Sequence, residues 1–82
     1  MNEVTFEIVT PVCVIDETDS RSLELNIVSW NKAMPKYDLR YLTKQADGTK
    51  RPQKGLTLSL EALEKLKETL TALDLSVNFG ED

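Results

Sequence analysis

The feature that most constrains the fold is the alternation of residue types in the stretch LELNIVSW, which runs from Leu23 to Trp30. Leu23, Leu25 and Ile27 occupy every second position, and side chains alternate between the two faces of a β-strand. The segment therefore predicts a strand with one apolar face. Trp30, the single tryptophan of the chain, falls on the other face, where we expect it to lack apolar partners.

Three more strands are predicted around this one. Residues 4–16 and 36–44 have the composition or the alternation of strands, and the basic run 50–58 predicts a fourth strand or extended segment. Pro11 predicts a bend or bulge in the first strand, and Cys13 in the same strand is expected to be a small buried hydrophobe. The polar run Asp16–Ser22 predicts a loop, and Asp47-Gly48 predicts a hairpin turn.

The C-terminal third predicts an amphipathic helix. Ser59 suits an N-cap, and Leu58 and Leu63 stand at the two positions of a hydrophobic staple. Leucines then recur at helical spacing along one stripe, at Leu60, Leu63, Leu66, Leu70 and Leu73. One helix leaves the far edge of a four-stranded sheet in water. We therefore expect the stripe both to cover its own sheet and to form a homodimer interface through Leu63, Leu66, Leu70 and Leu73.

Together these elements predict one α+β domain over residues 1–82, a four-stranded antiparallel meander followed by one C-terminal helix. We expect its core to span about residues 4–73 and the tail DLSVNFGED to be frayed. No apolar run reaches the roughly 18 residues of a membrane span, and no signal peptide is recognised. The single cysteine suits a reducing compartment, so we expect a cytoplasmic protein that does not bind membranes.

The residue inventory limits the possible chemistry. The chain has no histidine and one cysteine, which excludes nucleophilic dyads that need histidine and leaves almost no nitrogen or sulfur ligands for a metal. Its 14 acidic residues form no recognisable acid/base pair. We therefore expect no catalytic site, metal or cofactor, and a carboxylate enzyme is the weakest of the functions considered.

Charge is distributed unevenly along the chain. The formal net charge is −4, yet residues 29–55 hold seven cations and two anions, whereas both flanking thirds are acidic. A local basic field can attract a polyanion even when the whole protein is acidic. Cations that recur along an extended ribbon can follow phosphates, and an aromatic side chain among them can stack on a base. This pattern points to single-stranded nucleic acid, because a duplex hides its base faces.

The same residues allow other interpretations. A strand face rich in lysine and arginine can simply be solvated, and an exposed tryptophan can be a dimer contact or cover a sheet edge. Arg40 can pair with Asp38 or with an acid on the neighbouring strand. From the residues alone, these alternatives and nucleic-acid binding carry similar weight.

The run from Ser29 to Leu70 resembles the DNA-binding domain of the positive cofactor four family of transcriptional coactivators, and its short bacterial members in particular. The resemblance lies in an ordered set of motifs: Trp30, Lys36, the triplet Asp38-Leu39-Arg40, Asp47-Gly48, the segment KGLTL at 54–58 and the leucine helix. It implies a curved four-stranded sheet, a homodimer, and β-ribbon grooves that hold single-stranded DNA with little sequence preference. It assigns DNA contacts to Trp30, Lys36, Arg40 and Lys54, and more loosely to Lys32, Lys50 and Arg51. Strand alternation adds Lys44, which we expect further along the face that carries Trp30.

The sequence departs from the family in one place that bears on function. The family often carries a second aromatic residue just after the Asp-x-Arg triplet, where this chain has Tyr41. Strand alternation places Tyr41 on the opposite face from Arg40, so a stacking position is expected to be missing. The regulatory tail of the eukaryotic members is absent from this sequence, and their coupling to activators is not carried over.

We expect a homodimeric protein that binds single-stranded DNA, acts in transcription regulation or DNA maintenance, and possesses surfaces for the transcription machinery. RNA remains a second candidate ligand, because a groove that reads neither base edges nor the 2′-hydroxyl accepts both nucleic acids. The alternative from a different class is a protein-interaction module that docks an acidic partner on its basic ribbon.

Overall fold

The computed structural model of the chain describes residues 4–76, which form four strands and one helix. The elements are β1 (Phe6–Glu17), β2 (Arg21–Trp30), β3 (Lys36–Lys44), β4 (Lys50–Leu58) and α1 (Leu60–Ala72). The strands pair antiparallel in chain order to make one open sheet. The predicted α+β meander with a C-terminal helix is confirmed.

The connections between strands are short. The β1–β2 loop spans residues 18–20, so the predicted loop Asp16–Ser22 was too long, because both strands extend into it. The β3–β4 hairpin turns where predicted: Gly48 has a φ of 89°, and the Asp47 carboxylate accepts a hydrogen bond from the Thr49 N–H at 2.9 Å. Between β2 and β3, Asn31 and Lys32 both have positive φ angles, 54° and 63°, which is uncommon for residues other than glycine.

β1 is irregular along its whole length. Three register shifts against β2 leave Val9, Val12 and Ile15 without a paired residue, as expected for β-bulges. Pro11 lies between two of these shifts, which confirms the predicted irregularity there. Cys13 is exposed, contrary to expectation, because β1 is an edge strand that other elements of the described chain do not cover.

The two faces of the sheet differ in a way that alternation did not predict. We call the side that carries the tryptophan the Trp30 face; register places on it Ser22, Glu24, Asn26, Val28, Trp30, Lys36, Asp38, Arg40, Leu42, Lys44 and Lys50. The opposite side, with Leu23, Leu25, Ile27, Tyr37, Leu39 and Tyr41, is the leucine face. The most buried residues, including Val28 at 1% exposure and Leu42 at 0%, lie on the Trp30 face.

α1 begins as the sequence predicted. Ser59 is the N-cap, and its hydroxyl accepts a hydrogen bond from the Ala62 N–H at 3.1 Å. The helix touches β3 and β4 only lightly, and a groove of about 500 Å³ separates it from the leucine face. No residue of α1 is buried, so the leucine stripe does not cover the sheet closely within a single described chain. Of the predicted frayed tail, residues 77–82 lie outside the described part.

Candidate nucleic-acid interface

Trp30 is held by two residues of β3. Its indole N–H lies 3.3 Å from a carboxylate oxygen of Asp38, and the guanidinium carbon of Arg40 lies 4.8 Å from the centre of the indole ring. Arg40 donates to both oxygens of Asp38, from Nε at 2.6 Å and from Nη2 at 2.8 Å. Asp38 is 1% exposed and therefore needs these partners. The pairing of Arg40 with Asp38, one of the alternatives considered above, is thus present.

A second aromatic ring contacts Trp30. Phe6 pairs with Trp30 across the β1–β2 ladder, and the two ring centres lie 4.8 Å apart at an angle of 60°. The prediction that Trp30 lacks apolar partners was therefore wrong. Its partner comes from β1, whose bulges prevented any assignment of faces from the sequence. Phe6 gives the site a second aromatic residue on the face that carries Trp30, whereas Tyr41 lies on the leucine face beneath Arg21.

Phe6 is positioned by the turn that follows Trp30. The Asn31 N–H donates to the carbonyl of Thr5 at 2.8 Å, and the Thr5 N–H donates to the Asn31 side chain at 2.9 Å. These two bonds fasten the start of β1 to the end of β2. The turn itself closes with a bond of 2.9 Å from the Ala33 N–H to the Trp30 carbonyl.

Glu24 forms a second carboxylate cluster on the Trp30 face. It is 5% exposed and accepts hydrogen bonds from the Ser22 hydroxyl at 2.7 Å, the Asn26 amide at 3.1 Å and the Lys50 ammonium at 2.5 Å. Burial by itself would raise the pKa of Glu24. The bonds from Lys50, Ser22 and Asn26 outweigh burial and hold that pKa below its usual value.

A third ion pair lies at the end of the sheet near the β1–β2 loop. The Lys44 ammonium lies 2.6 Å from the Glu17 carboxylate and donates to the carbonyl of Thr18 at 2.7 Å. The hydrogen bond and charge of Lys44 lower the pKa of Glu17. Three of the predicted DNA-contacting cations, Arg40, Lys44 and Lys50, are therefore each paired with a carboxylate.

The other four predicted cations are placed differently. Within residues 4–76, Lys32, Lys36, Arg51 and Lys54 make no ion pair. Lys36 is on the Trp30 face, and Lys32 is in the adjoining turn. Lys54 is exposed at an irregular point of β4, whereas Arg51 pairs with Thr43 and so lies on the leucine side. The structure thus brings Trp30, Lys36, Arg40, Lys44 and Lys50 onto one face and separates Arg51 from them.

Between Val4 and Ser76, no group of three or more histidine, cysteine, aspartate or glutamate side chains is arranged to hold a metal ion. The single helix of that region is too short and too polar to cross a membrane.

An open antiparallel sheet that presents aromatic and cationic side chains on one face is typical of nucleic-acid-binding β-sheet proteins. The comparison with known families agrees with this class. The model of the family described as Transcriptional Coactivator p15 (PC4) matches residues 18–69, which is more than half of the chain. The chain belongs to this family of DNA-binding transcriptional coactivators. The match includes β2, β3 and β4 but not β1, the strand that carries Phe6.

Among curated proteins, no sequence matches this chain closely enough to be reported as a relative.

Proposed function

We propose that this protein binds single-stranded DNA on the Trp30 face, with little sequence preference, as a homodimer that acts in transcription regulation or DNA maintenance. The observation that carries the proposal is the assembly of Trp30, Arg40 and Asp38 beside Lys32 and Lys36, two cations that make no ion pair within residues 4–76. An aromatic ring supplies stacking of about 1–3 kcal/mol per base, and it accepts every base because each has a π face. Membership of a DNA-binding family supports the same ligand class.

The hydrogen bonds around Asp38 prepare this site for binding. Asp38 fixes both the indole N–H of Trp30 and the guanidinium of Arg40, so the ring and the cation keep one geometry without a ligand. A site whose side chains are already ordered loses less conformational entropy on binding. A guanidinium plane is also a surface on which bases stack, so Arg40 extends the platform of Trp30.

The ion pairs moderate the electrostatic attraction. Arg40, Lys44 and Lys50 face carboxylates in the free protein, and a phosphate that contacts them competes with Asp38, Glu17 and Glu24, respectively. The net attraction for a polyanion is therefore greatest near Lys32 and Lys36. Nonspecific binding to duplex DNA depends mainly on contacts with phosphates. The weak attraction along the rest of the face therefore disfavours such binding.

The helix supports the homodimer. Leu66, Leu70 and Leu73 are 38%, 53% and 46% exposed, and the groove beside them is lined by apolar side chains from the leucine face. A second copy that covers this surface would bury the stripe and close the groove. The Trp30 face remains free on the opposite side of the sheet.

Two substitutions of Trp30 test the proposed function against the protein-docking alternative. Trp30→Phe and Trp30→Leu both lose the indole N–H bond to Asp38, so a difference between them reports on the aromatic ring. We expect Trp30→Leu to weaken binding of a fluorescein-labelled oligo-dT by about tenfold or more, and Trp30→Phe by clearly less. Fluorescence anisotropy measures both affinities, and urea unfolding verifies that both variants fold.

Equal affinities for the two variants and the unchanged protein would contradict base stacking and favour a surface that docks an acidic protein. A parallel titration with oligo-U decides between the nucleic acids. Equal binding would extend the ligand class to RNA, because the site would then not distinguish the 2′-hydroxyl.

A further inference from the structure

A small pocket opens beside Trp30, at the turn between β2 and β3. Its volume is about 220 Å³, and its walls are Val28, Trp30, Ala33, Met34, Lys36 and Thr57. Pockets for drug-sized ligands start at about 300 Å³, so this one has room for a single ring system and little more. The pocket is distinct from the apolar groove under the helix, with which it shares no residue.

The surroundings of Trp30 direct a ligand to this pocket. Arg40 lies over the indole ring, and Phe6 packs against it, with 4.8 Å between centres in each case. These two side chains restrict two approaches to the ring. The pocket gives a third approach, on the side of the turn.

The chemistry of the pocket suits a nucleobase. Val28 gives it a buried apolar wall, and Met34 forms part of its wall while remaining 80% exposed. A methionine thioether is flexible and polarizable, and it makes favourable contacts with aromatic rings. Thr57 adds a hydroxyl that can donate or accept a hydrogen bond, so the pocket can meet the polar edge of any base.

Charge at the pocket favours the phosphate that accompanies a base. Lys36 lines the pocket, and Lys32 belongs to the turn beside it. Neither makes an ion pair within the described chain, whereas Arg40, Lys44 and Lys50 do. A phosphate can therefore bind here without displacing a carboxylate.

The turn that forms the pocket is held in a fixed shape. Asn31 and Lys32 adopt positive φ angles, and such residues persist only where their surroundings determine the backbone. Asn31 is bonded twice to Thr5, and the Ser29 hydroxyl donates to the carbonyl of Ala33 at 2.7 Å. The backbone on the N-terminal side of Met34 is thus anchored before a ligand arrives, and β3 begins two residues after it, at Lys36.

We propose that this pocket receives one nucleobase of the bound strand, with the neighbouring phosphate on Lys36 and Lys32. The inference rests on the proposed binding of single-stranded DNA and adds a particular place to it. One base inserted at the β2–β3 turn anchors the strand, and the following nucleotides lie along the Trp30 face, where the cations are already paired.

The methionine content of the chain permits a direct test. Only Met1 and Met34 are present, so protein labelled with ¹³C-methyl methionine gives two methyl signals. We would titrate it with oligo-dT and with a chain of equal length that carries abasic sites throughout. The pocket predicts a ring-current shift of the Met34 methyl signal with oligo-dT and a much smaller shift with the abasic chain.

The outcomes separate this inference from the proposed function. If oligo-dT binds and quenches Trp30 fluorescence while the Met34 signal moves no more than with the abasic chain, the pocket holds no base, although the protein binds DNA. If oligo-dT does not bind, the proposed function and the pocket both fail.

A pair of variants gives a second readout. Met34→Glu places a negative charge at the mouth of the pocket, and Leu75→Glu places the same charge at a site of similar exposure, 75%, after the helix. We expect Met34→Glu to lower the affinity for oligo-dT about tenfold, which corresponds to the lower end of the cost of losing one stacked base. Leu75→Glu should lower the affinity less than twofold. Equal effects of the two variants would overturn the pocket assignment.

Discussion

At the scale of single residues, the carboxylate of Asp38 organises the site. It receives hydrogen bonds from Trp30 and from two nitrogens of Arg40 while being almost completely buried. An amide in its place cannot accept the paired bonds of a guanidinium, and it leaves a cation without a counter-charge. The same side chain therefore bears on both stability and binding geometry.

The first prediction concerns Asp38→Asn. We expect the free energy of unfolding to fall by about 3 kcal/mol, because removing one member of a buried ion pair leaves the other uncompensated. Urea unfolding at neutral pH measures the change. Asp19→Asn, an exposed site in the β1–β2 loop, is the matched control and should stay within about 0.5 kcal/mol of the unchanged protein. A loss below about 1 kcal/mol for Asp38→Asn would contradict this role.

The second prediction concerns the pH dependence contributed by Glu24. Its pKa is lower in the folded chain than in the unfolded chain, where the usual value is 4.5. The folded state therefore gains stability from this group above that value and loses it as the pH falls through the folded pKa. We expect stability measured from pH 7 down to pH 3 to fall less steeply on the acid side in Glu24→Gln.

Glu17→Gln is the control for Glu24→Gln. Glu17 also has a lowered pKa, but its ion pair with Lys44 is exposed and screened by solvent. Glu17→Gln should therefore change the loss of stability between pH 7 and pH 3 only slightly. If both variants alter the pH profile equally, the buried network around Glu24 does not set the acid sensitivity.

At the scale of elements, β3 and β4 approach each other closely at one point. Arg40 pairs with Gly55, and a methyl group on Gly55 would lie 1.9 Å from the Cβ of Arg40 and 2.5 Å from the carbonyl oxygen of Leu39. Arg40 also donates to the carbonyl of Gln53 at 2.8 Å. β4 thus helps to position Arg40, and glycine is needed for the approach.

The third prediction concerns Gly55→Ala. We expect it to destabilise the protein by about 3 kcal/mol, the upper end of the usual cost of overpacking, and to alter the fluorescence of Trp30 in the folded state. The fluorescence changes because a displaced Arg40 no longer lies over the indole. Gly48→Ala is the control: its φ of 89° is unfavourable for alanine, but beyond its two chain neighbours no heavy atom of the described residues lies within 4 Å of the added methyl group. Gly48→Ala should lower the free energy of unfolding by about 1–2 kcal/mol and leave the fluorescence of Trp30 in the folded state unchanged. Identical Trp30 spectra for both variants would contradict the positioning role of β4.

Most elements could be predicted from the sequence because their signals are local. The strand from Leu23 to Trp30, the Asp47-Gly48 turn and the Ser59 cap are each signalled by neighbouring residues, and the structure confirms these three elements. β1 was different, since its three bulges break the period of two and obscure which face each residue occupies. Phe6 was missed for this reason.

The pairing of the site's charges could not be derived in the same way. Lys50 and Glu24 are 26 positions apart, and their contact follows from the register of three strands. The burial of Glu24 and Asp38 depends on long side chains folding over short ones, which alternation does not describe. Counted along the sequence, the charges form a basic segment between two acidic ones. In the folded sheet, however, three cations of the basic segment each pair with a carboxylate, from β1, β2 or β3.

At the scale of the whole molecule, the leucine stripe and the Trp30 face lie on opposite sides of the sheet. Assembly through the helix therefore leaves the proposed DNA surface accessible. A chain of this size buries only about 60% of its unfolded surface, so covering the groove under the helix would add materially to stability.

The fourth prediction is that Leu70→Glu converts a dimer into a monomer, because it places a charge within an apolar interface. Light scattering coupled to size-exclusion chromatography measures the mass, and the thermal midpoint should depend on protein concentration only when the dimer forms. Ala72→Glu adds the same charge on the opposite side of the helix and should keep the dimer. A monomeric unchanged protein, or a dimer that survives Leu70→Glu, would contradict assembly through this stripe.

The most direct test of the central claim uses the single tryptophan. Oligo-dT would be titrated into the unchanged protein at several salt concentrations while Trp30 fluorescence is followed. We expect strong quenching, with the logarithm of the affinity falling against the logarithm of the salt concentration by about 0.7 for each phosphate contacted. Weak, salt-dependent binding with no change in Trp30 would contradict the account, since the cations would then form an electrostatic patch without a stacking site.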